Sequence, residues 1–202
     1  EATQITSMLG QVLKNKTLWL IAAFSFSTTF FFIGWNAWAP ALIIDKGAPP
    51  EQAAYISSII HWITIPSLLL APRLSNRIGV RKPFLWLTSA ILAVITLWAM
   101  YATVNVMLFL MVILGLVNSA RQITNQTLPI EIMSKEVVGT ASGLIMSIGF
   151  SGGVVGPIIT GYILDTTGSF NMSLLVLVII SIIAMGIAFK IPETGPKVRL
   201  NQ

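Results

Sequence analysis

Six apolar runs, each close to twenty residues and joined by short polar connections, leave this chain one environment to fold in. They cover Leu18–Trp38, Ala53–Ala71, Pro83–Tyr101, Asn105–Asn125, Val138–Leu164 and Met172–Ile191. A hydrocarbon core of about 30 Å takes roughly 20 helical residues to cross. Backbone groups in lipid must bond among themselves, which selects helices. The alternation expected of barrel strands, about ten residues long, is absent from these runs. Only 9% of the residues are charged and the mean hydropathy is +0.84, where a soluble domain carries about a quarter charged residues. The sequence therefore reads as an all-α membrane protein, multi-pass in a cell membrane, with the lipid bilayer as its first partner. The expected organisation is a bundle over 18–191, a segment over 1–17 and a tail over 192–202.

The loops carry a second constraint. Ala71–Lys82 forms a basic hinge between two runs, crowding Arg73, Arg77, Arg81 and Lys82 together. Lys14, Lys16, Lys135, Lys190, Lys197 and Arg199 fall on the same side, and the other side keeps Lys46 beside Asp45, Glu51 and Asp165. Short basic loops stay cytoplasmic, so both termini are expected there. The net charge of +5 is thus a topology signal, and no nucleic-acid partner is expected. Trp19 and Trp86 fall at expected inner boundaries, and Trp35, Trp38 and Trp98 at outer ones, where amphipathic rings collect. The chain holds no cysteine, hence no disulfide or thiolate site, and neither a metal-ligand cluster nor a Walker loop is present. We expect no metal and no cofactor. Glu1 follows no initiator Met or cleavable leader, as at the cut edge of a longer protein.

Polar groups inside spans are costly and face partners or wet cavities. The first run places Ser25, Thr28, Thr29 and Asn36 on one face, although hydroxyls also bond their own helix. His61 in the second run has a packing reading, a helix–helix hydrogen bond, and a functional one as substrate contact or proton relay. In the fourth run Asn118, Arg121, Gln122 and Asn125 follow i, i+3, i+4, i+7 and form one polar stripe. Arg121 either snorkels to the interface or faces a water-filled cavity. In a cavity it would favour an anion or await a carboxylate from elsewhere in the protein. No acid lies well inside a span.

The fifth run pairs Gly139/Gly143, Gly149/Gly153 and Gly152/Gly156 at four-residue spacing, then adds Pro157. Small residues let helix backbones approach closely, and the proline should bend the helix. Tight packing and a face that slides or rocks against a neighbour are both open. Gly149-Phe-Ser-Gly-Gly153 matches a nucleophile-elbow spacing, but no base can be assembled against its serine, and no enzyme is expected.

Asn76-Arg-Ile-Gly-Val-Arg-Lys82 resembles the D-R-x-G-R-[RK]-[RK] loop of the major facilitator superfamily. Arg77, Gly79, Arg81 and Lys82 match; Asn76 replaces the acid, Val80 an arginine, and Pro72 stands where a glycine is usual. Trp35-Asn-Ala-Trp-Ala-Pro40 looks like the end of a seventh helix. Leu128-Pro-Ile-Glu131 with Gly139-Thr-Ala-Ser-Gly143 looks like the link from tenth to eleventh. Gly156-Pro-Ile-Ile-Thr-Gly161, with Asp165 and Gly168, resembles the end of the eleventh, and Pro192-Glu-Thr-Gly195 the motif after the twelfth.

The resemblance implies the C-terminal six-helix half of a twelve-helix fold, working as a secondary active transporter, symporter or antiporter, by alternating access. Its N-terminal half would lie in the same polypeptide, a split chain or a second copy. The first and fourth runs would then line the cavity, making Trp35, Asn36, His61, Asn118, Arg121, Gln122 and Asn125 the expected contacts to a small polar, anionic solute. The second and fifth runs would meet the other half. That assigns conformational gating to Arg77, Gly79, Arg81 and Lys82 in the loop, and to Gly149, Gly153, Gly156 and Pro157 in the fifth run. The alternative is a receptor or scaffold built on the same fold without transport.

Overall fold

The computed structural model describes residues 10–195, apart from the side chains at 71, 72, 74–76 and 123. The expected segment before residue 10 and tail beyond 195 lie outside the described residues, as do the side chains of Pro72 and Asn76. Among the described residues there are six long helices and no strand: α1 (Lys16–Asp45), α2 (Pro50–Ile78), α3 (Lys82–Tyr101), α4 (Val104–Ile132), α5 (Val138–Thr167) and α6 (Phe170–Lys190). All six are long and apolar enough to cross a membrane.

Several helices outrun the apolar runs that announce them. Asn15 caps α1 by accepting from the Thr17 amide at 3.0 Å, and the helix continues through Pro40 to Asp45. Trp35 lies inside the bundle, 2% exposed and stacked on Phe31 at 6.2 Å between centroids. Helix α2 carries Arg73 and Arg77 on its last turns, so the expected twelve-residue hinge contracts to a turn at Gly79–Arg81. Gly79 sits there at φ +75°, a region open chiefly to glycine. Helix α4 runs through Pro129, which puts Leu128–Glu131 inside the helix and leaves 133–137 as the link to α5. At the opposite end Lys46 donates to the Met100 carbonyl at 3.1 Å and ties α1 to α3. Burial lowers the pKa of that ammonium, against the opposing charge of Asp45.

The helices pair as α1 on α5, α2 on α4 and α3 on α6, with α6 also packed against α1. Two apolar clusters result. One gathers Phe30, Phe31, Trp35, Leu110 and Leu177; the other gathers Leu18, Phe24, Leu85, Leu128 and Ile145 nearer the basic turn. Between them, at the level of Thr28, lies a polar layer.

The α1–α5 seam is where the glycines of the fifth run are used. A Cβ at Gly152 would stand 2.3 Å from the Phe26 carbonyl oxygen, and one at Gly156 2.5 Å from that of Phe30. Gly149 and Gly153 meet Ser25 and Thr29 side chains. This is a correction to the expectation that the glycine face meets the other half of a transporter: it is spent inside this bundle. The face of α5 left open carries Met146, Phe150, Val154, Ile158 and Tyr162. Ser151 of the nucleophile-like spacing donates to the Ile148 carbonyl of its own helix at 2.7 Å, so the match reflects helix packing.

Candidate functional site

A cleft of about 400 Å³ opens between α1, α4 and α5. Ser25, Thr28 and Thr29 form the α1 wall; Gln122, Asn125, Gln126, Thr127 and Ile130 the α4 wall; Ser142, Met146, Gly149 and Phe150 the α5 wall. Among the described residues, no titratable side chain lines it. The hydroxyls of α1 are turned partly inward: Thr28 donates to the Phe24 carbonyl at 2.8 Å and Thr29 to that of Ser25 at 3.0 Å. Their lone pairs and the amides of Gln122, Asn125 and Gln126 remain to meet a solute.

Arg121 stands behind this cleft, fully buried at 0% exposure. It neither snorkels nor opens to a cavity. One terminal nitrogen donates to the Thr28 carbonyl and to Asn118 Oδ1, both at 3.2 Å. The guanidinium lies over Phe31, 5.4 Å from the ring centroid, a cation–π contact strengthened by desolvation. Its Nε and other terminal nitrogen have no partner, and neither does Asn125 Oδ1 one turn on. No carboxylate within salt-bridge distance faces it among the described residues. A buried cation without a counter-ion is costly and projects a positive field through low-dielectric surroundings. Thr28 connects the two features: its side chain lines the cleft and its carbonyl holds the arginine.

The other expected contacts separate. Asn36 donates to the Phe32 carbonyl on its own helix at 2.7 Å. His61 is exposed on α2 and meets Phe32 edge-on at 6.3 Å. Trp35 belongs to the packed end, its Nε1 unpartnered, beside a residual void of only about 10 Å³. Of the expected set, then, Gln122 and Asn125 reach the cleft, Arg121 and Asn118 back it, and Asn36, His61 and Trp35 lie elsewhere. The sequence reading passed over Gln126, Thr127, Ser142, Met146 and Phe150. Gln126 continues the i, i+4 row from Gln122 and was legible; the α5 residues needed the helix pairing.

At the end of the bundle near the cleft mouth, the basic turn is locked to two other segments. Arg81 pairs with Glu131 of α4 at 3.0 Å, with side chains only 8% and 11% exposed. Glu193, after α6, accepts from the backbone amides of Arg81 at 2.6 Å and Lys82 at 3.0 Å, and thereby caps the N-terminus of α3. Thr194 donates to the second Glu131 oxygen at 2.7 Å. Gly195 sits so close to Gly79 that a Cβ would meet its carbonyl at 2.3 Å. Among the described residues, neither Arg73 nor Arg77 forms an ion pair with Glu131 or Glu193.

A bundle of six membrane-length helices with an open polar cleft is a multi-pass α-helical membrane protein with the architecture of half a transporter. The chain belongs to the Major Facilitator Superfamily, whose family description matches residues 25–202. An uncharacterized transporter, YycB, of Bacillus subtilis (strain 168) is 24% identical over 86% of this chain and 44% of its own length. A putative tartrate transporter of Agrobacterium vitis is 28% identical over 88% and 42%, and a quinolone resistance transporter of Acinetobacter baumannii 27% identical over 86% and 40%. The chain thus spans less than half the length of these curated relatives.

Proposed function

We propose that this chain forms half of a secondary active transporter that moves a small polar anion by alternating access. The observation that carries the reading is the uncompensated, fully buried Arg121 directly behind a cleft lined with amides and hydroxyls. Such a cleft offers neutral hydrogen bonds at its surface and a fixed positive field from within, a combination that favours carboxylates over neutral solutes of the same shape. The similarity to a putative tartrate transporter supports this, since tartrate is a small dicarboxylate. Asn118 and Phe31 hold the guanidinium in place; Gln122, Asn125 and Gln126 make the direct contacts.

Alternating access draws support from the asymmetry of the bundle. The cleft opens toward the basic turn, which the loop charges put in the cytoplasm together with both termini, while the opposite end is packed around Trp35. The Arg81–Glu131–Glu193 lock ties α2–α3, α4 and the post-α6 segment together at the open end, and its rearrangement would gate the cleft. A second six-helix half supplies the missing wall.

The test is uptake into proteoliposomes by the protein purified from its native membrane, with labelled tartrate against a neutral polyol of similar size. Tartrate uptake that falls at least tenfold in Arg121→Gln and is largely kept in Arg121→Lys supports the reading. Equal uptake of both solutes by the unaltered protein, or a tartrate preference untouched in a folded Arg121→Gln, refutes it.

A further inference from the structure

Between α2, α3 and α4, on the other side of α4 from the cleft, lie two further grooves. An apolar groove of about 520 Å³ runs between α2 and α4 past Leu70, Leu116 and Ala120 to Phe84. A second, of about 380 Å³, runs along α3 past Ile78 and Leu87, and shares Phe84, Leu116 and Ala120 with the first. Leu70, Ile78, Leu87 and Leu116 are all more than 40% exposed, so no other part of this chain covers the pair of grooves. Arg73 and Arg77 line the first groove. They lie one helical turn apart on α2, where side chains are neighbours, both exposed, and neither has a carboxylate within salt-bridge distance among the described residues.

We propose that this surface binds an anionic phospholipid. The two grooves that fork around Phe84 take its two acyl chains, and Arg73 and Arg77 take the phosphate of its headgroup. The chemistry matches at both ends. The grooves are almost wholly apolar, as acyl chains require, and paired guanidinium groups hold a phosphate oxygen pair in forked geometry. The arginines also stand at the end of the bundle with the basic turn, where a headgroup and not a chain would lie. Basic pockets between membrane helices are general receptors for such headgroups.

The test uses the protein purified from its native membrane, stripped of lipid in detergent and titrated with dioleoyl phosphatidylglycerol or dioleoyl phosphatidylcholine under native mass spectrometry. Two arginines at the membrane surface predict a preference for phosphatidylglycerol of roughly thirty-fold. Arg73→Gln/Arg77→Gln should bring the preference near unity, Arg73→Lys/Arg77→Lys should keep most of it, and Leu116→Trp should weaken retention of both lipids by filling the fork. Equal retention of the two lipids by the unaltered protein, or a preference that survives Arg73→Gln/Arg77→Gln, overturns the proposal. So does a fall in melting temperature of Arg73→Gln/Arg77→Gln in lipid-free detergent, which would assign the arginines to a carboxylate of the protein.

Discussion

Replacing Gly152 by alanine tests the seam on which the cleft is built. The added Cβ would stand 2.3 Å from the Phe26 carbonyl oxygen, 3.0 Å from its carbon and 3.1 Å from its Cα. Carbon–oxygen contacts settle near 3.3–3.6 Å, so α1 and α5 must part by about 1 Å. The obstacle is backbone and no rotamer change relieves it. Overpacking of this kind costs about 1–3 kcal/mol, and alanine's better helix propensity returns about 1 kcal/mol at most. Gly143 on the same helix is the control, because a Cβ there meets nothing within 4 Å; Gly143→Ala should be neutral or slightly stabilising. Thermal unfolding of the two purified variants, followed by tryptophan fluorescence, should place Gly152→Ala several degrees below Gly143→Ala. Equal melting temperatures would refute the α1–α5 packing. Equal melting temperatures with altered transport would restore the glycine face to the boundary between halves.

Further outcomes follow from the same contacts. Glu131→Gln removes the carboxylate that Arg81 pairs with at 3.0 Å in a nearly buried site and should cost up to about 3–5 kcal/mol, read as a lowered melting temperature, with Glu193→Gln milder because the amides it caps keep an oxygen acceptor. Gln122→Ala/Asn125→Ala should raise the KM for the transported solute with little change in melting temperature, since both side chains line the open cleft; a collapse of folding would make them structural. The lowered pKa of Lys46 means that the folded state binds fewer protons than the unfolded one in a window just below 10.5. Stability should therefore rise with pH through that window, and Lys46→Met should abolish the rise in melting temperature.

The helices and their number were legible because length and composition alone fix them in a bilayer. Their ends were not. Helices α1, α2 and α4 carry polar residues and a proline within their last two turns, and those residues read as loops until tertiary contacts are known. The polar stripe of α4 was legible as a stripe, yet periodicity cannot tell which member turns inward. Arg121 turns toward Thr28 and Phe31, and its neighbour Gln122 toward the cleft, because α1 crosses α4 at that level. Nor does spacing show that an amide such as Asn36 can bond the carbonyl of its own preceding turn. Glu193 was visible only within a tail motif, and its role as the cap of α3 joins residues more than a hundred positions apart.

This chain contributes no cysteine of its own, so thiol labelling, read against the same protein without the substitution, can test whether the cleft is the solute pathway. Gln126 is exposed and lines the cleft, so Gln126→Cys places a thiol in it without disturbing the packed core. The rate of its modification by a membrane-impermeant maleimide, applied from each side of oriented vesicles with and without the transported anion, is the quantity to measure. Modification should be fast from the face bearing Arg81 and Lys82, and slowed by the anion but not by a neutral solute of the same size. Modification at the same rate from both faces, or indifferent to the anion, would contradict it.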